Sequence, residues 1–327
     1  MSDAFDEPGV TFFRRDYPSA NTVLLHGPCP VLVDTGFGSD APELVPWLRA
    51  HGVAPEALAL IVNTHFHSDH VGGNHHLQSR WRTEIAAQAD EAAAVNGRDR
   101  DACRAEWLCQ PVEAYRVGRP LRAGERIGTG ETSWEVIETP GHTAGHISLW
   151  CEARRAVVLG DALHGADVGW VGPYREGPDA ARRAAETVER IARLGARVGF
   201  SGHGPAILDM DAAVERARRR LRSWAERPRL MAWHACKRVF GHALILSDGM
   251  GEAEALAYLE GAPWSRDHAV HAFGLSAREF APRLVAEMVR SGAATRREGR
   301  LVATAPYRAP PPGWAAGPTA PAAWPGV

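Results

Sequence analysis

Up to about residue 206 the chain alternates short apolar runs with amphipathic stretches. Residues 21–25 and 30–34 read as strands joined by a turn at Gly27 and Pro28. Residues 41–51, capped by Ser39 and Asp40 and stopped by Gly52, read as a helix. The run 58–63 is a buried-type strand that ends in a polar, His-rich segment, the position at which an α/β sheet presents chemistry. Residues 90–118 are polar and partly helical, an inserted arm. Strand patterns return at 133–139, 146–151 and 156–160, a helix follows over 178–194, and a last short strand covers 197–200. Interleaved strands and helices predict a layered α/β domain.

Beyond residue 206 the pattern turns helical. Residues 211–226 form a long Arg-rich helix broken at Arg227 and Pro228, with helical stretches at 251–259 and 277–291 and a hairpin-like segment at 292–303. A helical module ending in a short hairpin resembles a winged helix. Residues 309–327 are uncharged and rich in Pro, Ala and Gly, which predicts a disordered tail. The expected division is therefore 1–206, then 207–308, then 309–327.

Composition narrows the function. The 327 residues carry 37 basic and 39 acidic side chains, a balance that does not suit a polyelectrolyte binder of nucleic acid. The charge is uneven: residues 1–206 hold 20 basic and 27 acidic groups, so the remainder is net positive. That asymmetry points to docking between domains or between subunits of a homodimer, and neither nucleic acid nor a membrane is an expected partner. Five cysteines without a CxxC pair argue against a disulfide framework or a thiolate zinc site. The acidic start lacks the basic and apolar regions of a signal peptide, so a cytoplasmic protein is expected.

The fifteen histidines are distributed unevenly. His65, His67, Asp69 and His70 fall within six residues on the strand-terminal loop. Residues two apart in an extended segment share a face, so His65 and His67 can close on one cation while Asp69 and His70 point toward a second. Imidazole and carboxylate donors without thiolate suit a catalytic zinc, with iron or manganese as alternatives. Three further ligand-type residues, His142, Asp161 and His203, each lie beside glycine at the end of a predicted strand. Asp34 and the threonines Thr64 and Thr143 read as supports, and His146 as a brace for its loop. His234, His242, His268 and His271 read as structural.

HFHSDH at 65–70, PGHTAGH at 140–146, Gly160-Asp161 and Gly202-His203, together with VLVDTG at 31–36, resemble the metallo-β-lactamase fold hydrolase superfamily. The resemblance implies a four-layer αββα sandwich followed by a small, mostly helical, winged-helix-like domain. It implies that His65, His67 and His142 hold one divalent metal ion, that Asp69, His70 and His203 hold a second, and that Asp161 bridges them. Two such cations would activate a bridging hydroxide, with Asp69 as the catalytic residue that orients it and moves its proton. The segment 160–177 is similar to that of hydroxyacylglutathione hydrolases, which makes His164, Tyr174 and Arg175 candidate substrate residues. The expected function is hydrolysis of an ester-like bond, a thioester or lactone, in a small molecule. The alternatives are a phosphodiesterase or nuclease of the same superfamily, a mononuclear iron persulfide dioxygenase, and a DNA-binding ligand sensor without catalysis.

Overall fold

One sheet is laid down in chain order from β1 (Phe5–Glu7), β2 (Val10–Phe13), β3 (Thr22–Leu25), β4 (Val31–Val33), β5 (Leu60–Val62) and β6 (Ile85–Gln88) to β7 (Arg119–Leu121). Its strands are antiparallel as far as β4 and parallel from there on. The second sheet has the order β12-β11-β10-β9-β8, from β8 (Arg126–Gly128), β9 (Ser133–Glu138), β10 (Ile147–Cys151), β11 (Ala156–Gly160) and β12 (Val198–Ser201). These elements come from a computed structural model that describes residues 5–314 and 321–324.

Strand side chains alternate between two buried faces, which explains runs with no polar partner. Val23, Leu25, Val31 and Val33 enter a core shared with Trp134, Val136, Leu149 and Phe200, so the two sheets pack face to face. Leu24, Leu32 and Ile61 point the other way, against Leu44 and Leu48 of α1 (Leu44–Ala50) and, beyond the short α2 (Ser68–Val71), Leu77 of α3 (Asn74–Trp81) and Val95 of α4 (Ala89–Asn96). On the far side Val157 and Leu159 meet helices that follow α5 (Ala105–Leu108) and α6 (Pro173–Glu176). These are α7 (Ala180–Arg193) and α8 (Met210–Glu226), through Val188, Ile191, Val214 and Leu221. The layers are helix, sheet, sheet, helix.

The C-terminal module comprises α9 (Pro228–Leu246), β13 (Met250–Gly251), α10 (Glu252–Gly261), α11 (Pro263–His268), α12 (Ala277–Arg290), β14 (Ala294–Arg297) and β15 (Arg300–Ala303). The three strands form a small sheet in the order β13-β15-β14. Helix α12 starts at a capping box in which Ser276 accepts from the Glu279 amide. Helix α9 is absent from the sequence expectations and is the element that faces the site. Trp107 and Leu108 of the inserted arm join the core of this module, and Trp107 Nε1 donates to Asp267 at 2.7 Å.

The charge asymmetry is used inside the chain. Arg218 pairs with Glu189 at 2.6 Å, Arg220 and Arg238 pair with Asp167 at 2.9 and 3.2 Å, and Arg308 pairs with Asp40 at 2.9 Å. Part of the expected tail, residues 309–314 and 321–324, is described. Trp314 packs beside Phe37 and over Gly38, and Trp324 is buried against Tyr115 with its Nε1 donating to the Val112 carbonyl at 2.8 Å. Trp324 is buried and Trp314 half-buried; tail residues 315–320 and 325–327 lie outside the described residues. No helix among the described residues is long and apolar enough to cross a membrane.

Candidate metal centre

The carboxyl ends of β4, β5, β9, β11 and β12 deliver Asp34, the 65–70 loop, His142, Asp161 and His203 to one rim of the sandwich. His65, His67 and His142 form one group with ligand atoms within 4.8 Å of one another, and Asp69, His70 and His203 form another. Asp161 lies between them, with Oδ1 3.4 Å from His70 Nε2 and Oδ2 3.6 Å from His142 Nε2. All seven residues singled out in the sequence therefore meet.

Close approach of backbone makes this possible. A Cβ at Gly202 would lie 2.3 Å from Asp161 Oδ1, and one at Gly160, where φ is +51°, would lie 2.6 Å from Thr64 Oγ1. Only glycine fits at either position.

The surrounding hydrogen bonds fix how the ligand atoms point. Asp34, held in the left-handed region at φ +57°, accepts from the Thr64 amide at 2.8 Å, the Thr64 hydroxyl at 2.7 Å and His70 Nδ1 at 2.7 Å. His70 Nε2 is thereby turned to the centre. His142 Nδ1 donates to the Trp170 carbonyl at 2.7 Å, which leaves Nε2 as its lone-pair nitrogen. His146 accepts from the Asp161 amide at 3.0 Å and meets Thr139 Oγ1 at 2.8 Å, the bracing role expected of it.

These residues fit divalent cations. His67 Nδ1 is 3.1 Å from His65 Nε2 and 2.9 Å from His142 Nε2, so nitrogens converge on one point. His70 Nε2 and Asp161 Oδ1 are buried without a hydrogen-bond partner among the described residues. Such atoms are costly unless something polar meets them. Burial, reinforced by the neighbouring imidazoles, holds His65 well below the ordinary histidine range and so in its neutral, ligating form. Burial opposes charge on His70, yet Asp34, Asp161 and Asp69 outweigh it and raise its pKa. Burial likewise opposes ionisation of Asp69, but His70 and His203 hold its carboxyl below the usual range.

A cavity of about 760 Å³ opens from this centre. His164 lines it, with Nε2 3.9 Å from Asp161 Oδ1 and its pKa pushed down to about 4 by burial. Tyr174 and Arg175, the other candidate substrate residues, are not among the residues that line it. Tyr174 stacks on His271 at 5.4 Å, and Arg175 pairs with Asp101 and Asp267, both at 3.3 Å, because α6 is pinned between the inserted arm and the C-terminal module. Trp170, which the sequence left open between facing substrate and packing, lines the cavity, as do residues missed in the sequence. Tyr17 stacks on His203 at 4.8 Å and Trp170 on His67 at 5.4 Å, while His234 and His242, read as structural, reach it from α9. No motif marks Tyr17; the α9 residues could have been found only by recognising a helical stripe at 234, 238, 242 and 245.

A family model described as the metallo-beta-lactamase superfamily matches residues 15–203. The chain is 35% identical over 129 residues to the hydroxyacylglutathione hydrolase of Rhodospirillum rubrum, a match covering 39% of this chain and 40% of that protein. It is 31% identical over 203 residues to metallo-beta-lactamase domain-containing protein 1 of Xenopus laevis, covering 60% and 74% respectively. The chain spans about half the length of the hydroxyacylglutathione hydrolases it matches. In fold it is similar to a metallo-beta-lactamase family protein from Thermus thermophilus, with a TM-score of 0.59 and 22% identity over 91% of this chain and 99% of that one. The shared fold thus extends into the C-terminal module.

Proposed function

The chain belongs to the metallo-beta-lactamase superfamily, and from that premise we propose that it is a metal-dependent hydrolase that cleaves a thioester or lactone in a small molecule. The reading is carried by one observation: two ligand groups, each with three donors, share a rim with Asp161 set between them. His65, His67 and His142 would hold one divalent cation and Asp69, His70 and His203 the other, with Asp161 reaching both. When bound, such cations supply a nucleophile of hydroxide strength at neutral pH and a Lewis acid for the carbonyl. The name of the Rhodospirillum rubrum relative, hydroxyacylglutathione hydrolase, supports the thioester class.

The chain's own groups do the rest. Asp69 Oδ2 lies 3.2 Å from His203 Nε2 and is ionised at neutral pH, so it can take a proton from the attacking water and return it to the leaving group. Trp170 and Tyr17 hold the planes of His67 and His203 and keep bulk water off them. His164, uncharged at neutral pH, offers the substrate a hydrogen bond rather than a charge.

The test is a metal count together with a panel of thioester, lactone, β-lactam and phosphodiester substrates. About two ions per chain are expected, with turnover on thioesters or lactones. Asp161→Ala and His67→Ala should lose both metal and turnover while keeping the folded circular dichroism spectrum. Full turnover by a verified metal-free variant, or a single iron with oxygen consumption, would overturn the reading.

A further inference from the structure

The loop from Tyr17 to Asn21, between β2 and β3, is bonded to both loops that carry Asp69 and His203. The Ala20 amide donates to the Asp69 carbonyl at 2.9 Å and the Asn21 amide to the Gly202 carbonyl at 2.7 Å. The Asn21 side chain donates to the carbonyls of Ser201 and Gly204, both at 2.9 Å, and so brackets His203. From the other side the Arg308 amide donates to the Tyr17 carbonyl at 2.9 Å, and Tyr17 and Tyr307 form a parallel bridge. The Tyr17 ring then stacks on His203 at 4.8 Å with the planes 17° apart. Its hydroxyl, in contrast, has no hydrogen-bond partner among the described residues. Tyr17 is half-buried and lines the cavity. Besides burial, its phenol feels the charges of Arg238, Asp161, Asp69 and Asp167, all of which line the same cavity. The oxygen therefore lies over the cavity, between the ligand groups and α9. A tyrosine ordinarily titrates at about 10, so at neutral pH this hydroxyl is a donor held in place with nothing in the protein to receive it.

We propose that Tyr17 is a catalytic residue whose hydroxyl donates a hydrogen bond to the leaving atom, the sulfur of a thioester or the ring oxygen of a lactone, as its bond to the carbonyl carbon breaks. The assignment rests on the hydrolase reading and gives Asp69 a partner in it. Asp69 returns to the leaving atom the proton taken from water, so that atom must come within reach of Asp69. Asp69 meets Nε2 of His203 at 3.2 Å, and Tyr17 covers the ring of the same histidine. The electron pair of the broken bond goes to the leaving atom, the proton comes from Asp69, and Tyr17 keeps its own. Its share is to stabilise charge that is absent from the bound substrate, which lowers the barrier without tightening binding.

The test is Tyr17→Phe, which keeps a ring on His203 and removes only the hydroxyl. Metal content should stay at the wild-type level, and the melting temperature should not fall, because the hydroxyl bonds nothing in the fold. Thioesters of one acid with an alkyl thiol, thiophenol and p-nitrothiophenol are then compared, a series of increasingly stable thiolates. On the alkyl thioester kcat should fall about 100-fold, the scale of losing one donor to developing charge. The loss should shrink along the series while KM stays unchanged. A structural role predicts lost metal, a lower melting temperature or one common factor for all three substrates; any of these, or an undiminished kcat, overturns the assignment. The free alkyl thiol is also titrated calorimetrically into both metal-loaded proteins, where Tyr17→Phe should bind it about tenfold more weakly. Equal thiol binding overturns the assignment whatever is cleaved. Weaker thiol binding by the variant, with no thioester cleaved by wild type, upholds the hydroxyl's place at the leaving atom and overturns the hydrolase reading.

Discussion

Glu91, on α4 beneath the loop that carries His142, gives the sharpest stability prediction. One carboxyl oxygen accepts from the Thr143 hydroxyl at 2.6 Å, and the other is buried without a partner among the described residues. Burial pushes its pKa up to about 8, with the nearby Glu176 adding to the rise and Thr143 and Arg104 opposing it. In the unfolded chain an ordinary glutamate titrates near 4.3. Between these values the native state holds a proton that the unfolded state has released, so this contribution to stability falls as pH rises and levels off above the native pKa. From about pH 6 to about pH 9 the loss amounts to roughly 2.5 kcal/mol, from about two pKa units at about 1.4 kcal/mol each. Glu91→Gln keeps the shape and removes the titration. Urea unfolding of the metal-loaded proteins at both pH values should therefore show the variant gaining about that much on wild type as pH rises. Parallel pH profiles, agreeing within roughly 0.5 kcal/mol, would mean that Glu91 is solvated or already ionised in the fold, and would refute the argument.

Removing the carboxylate that orients His70 and Thr64 should weaken metal binding without touching a ligand. Asp34→Ala is expected to lower metal affinity by about 10- to 100-fold in competition with a chromogenic chelator, and an unchanged affinity would refute the orienting role. Trp324→Ala tests whether the tail is part of the fold. Loss of a buried indole and its bond to the Val112 carbonyl should cost about 3 kcal/mol in urea unfolding, whereas a free tail predicts no change. His146→Ala removes the acceptor of the Asp161 amide and should destabilise the protein by about 1–3 kcal/mol, read as a lower melting temperature.

The metal half of the site was legible in sequence because its chemistry is local. His65 and His67 must be two apart to share a face of extended chain, and Gly160 and Gly202 stand beside Asp161 and His203 because no side chain fits there. The strands that carry them were legible for a related reason. Their apolar runs are short, bounded by turns and buried on both faces, so the pattern gives a layered α/β domain, whereas the αββα sandwich came from the family resemblance. Where Tyr174 and Arg175 point was not legible, for the opposite reason. The direction of the four-residue α6 is set by Asp101, Asp267 and His271, which are remote in sequence.

Helix α9 marks where local pattern stops carrying information. Its buried residues include Met231, Ala232, Ala235, Cys236, Val239, Phe240, Leu244 and Ile245, which do not gather into one stripe, because the helix packs on the module's core and on the sandwich at once. A helix wanted on several sides has no polar face from which its period can be read. The residues it turns to the cavity, His234, Arg238 and His242, then look like ordinary helix positions, although Arg238 and His234 reach across to Asp167 of the sandwich at 3.2 and 2.9 Å. The same double packing that hides α9 from a periodicity argument also sets it beside the metal rim, where its residues line the cavity. Selectivity in this protein is therefore expected to respond to changes in α9 that leave all seven ligand residues intact.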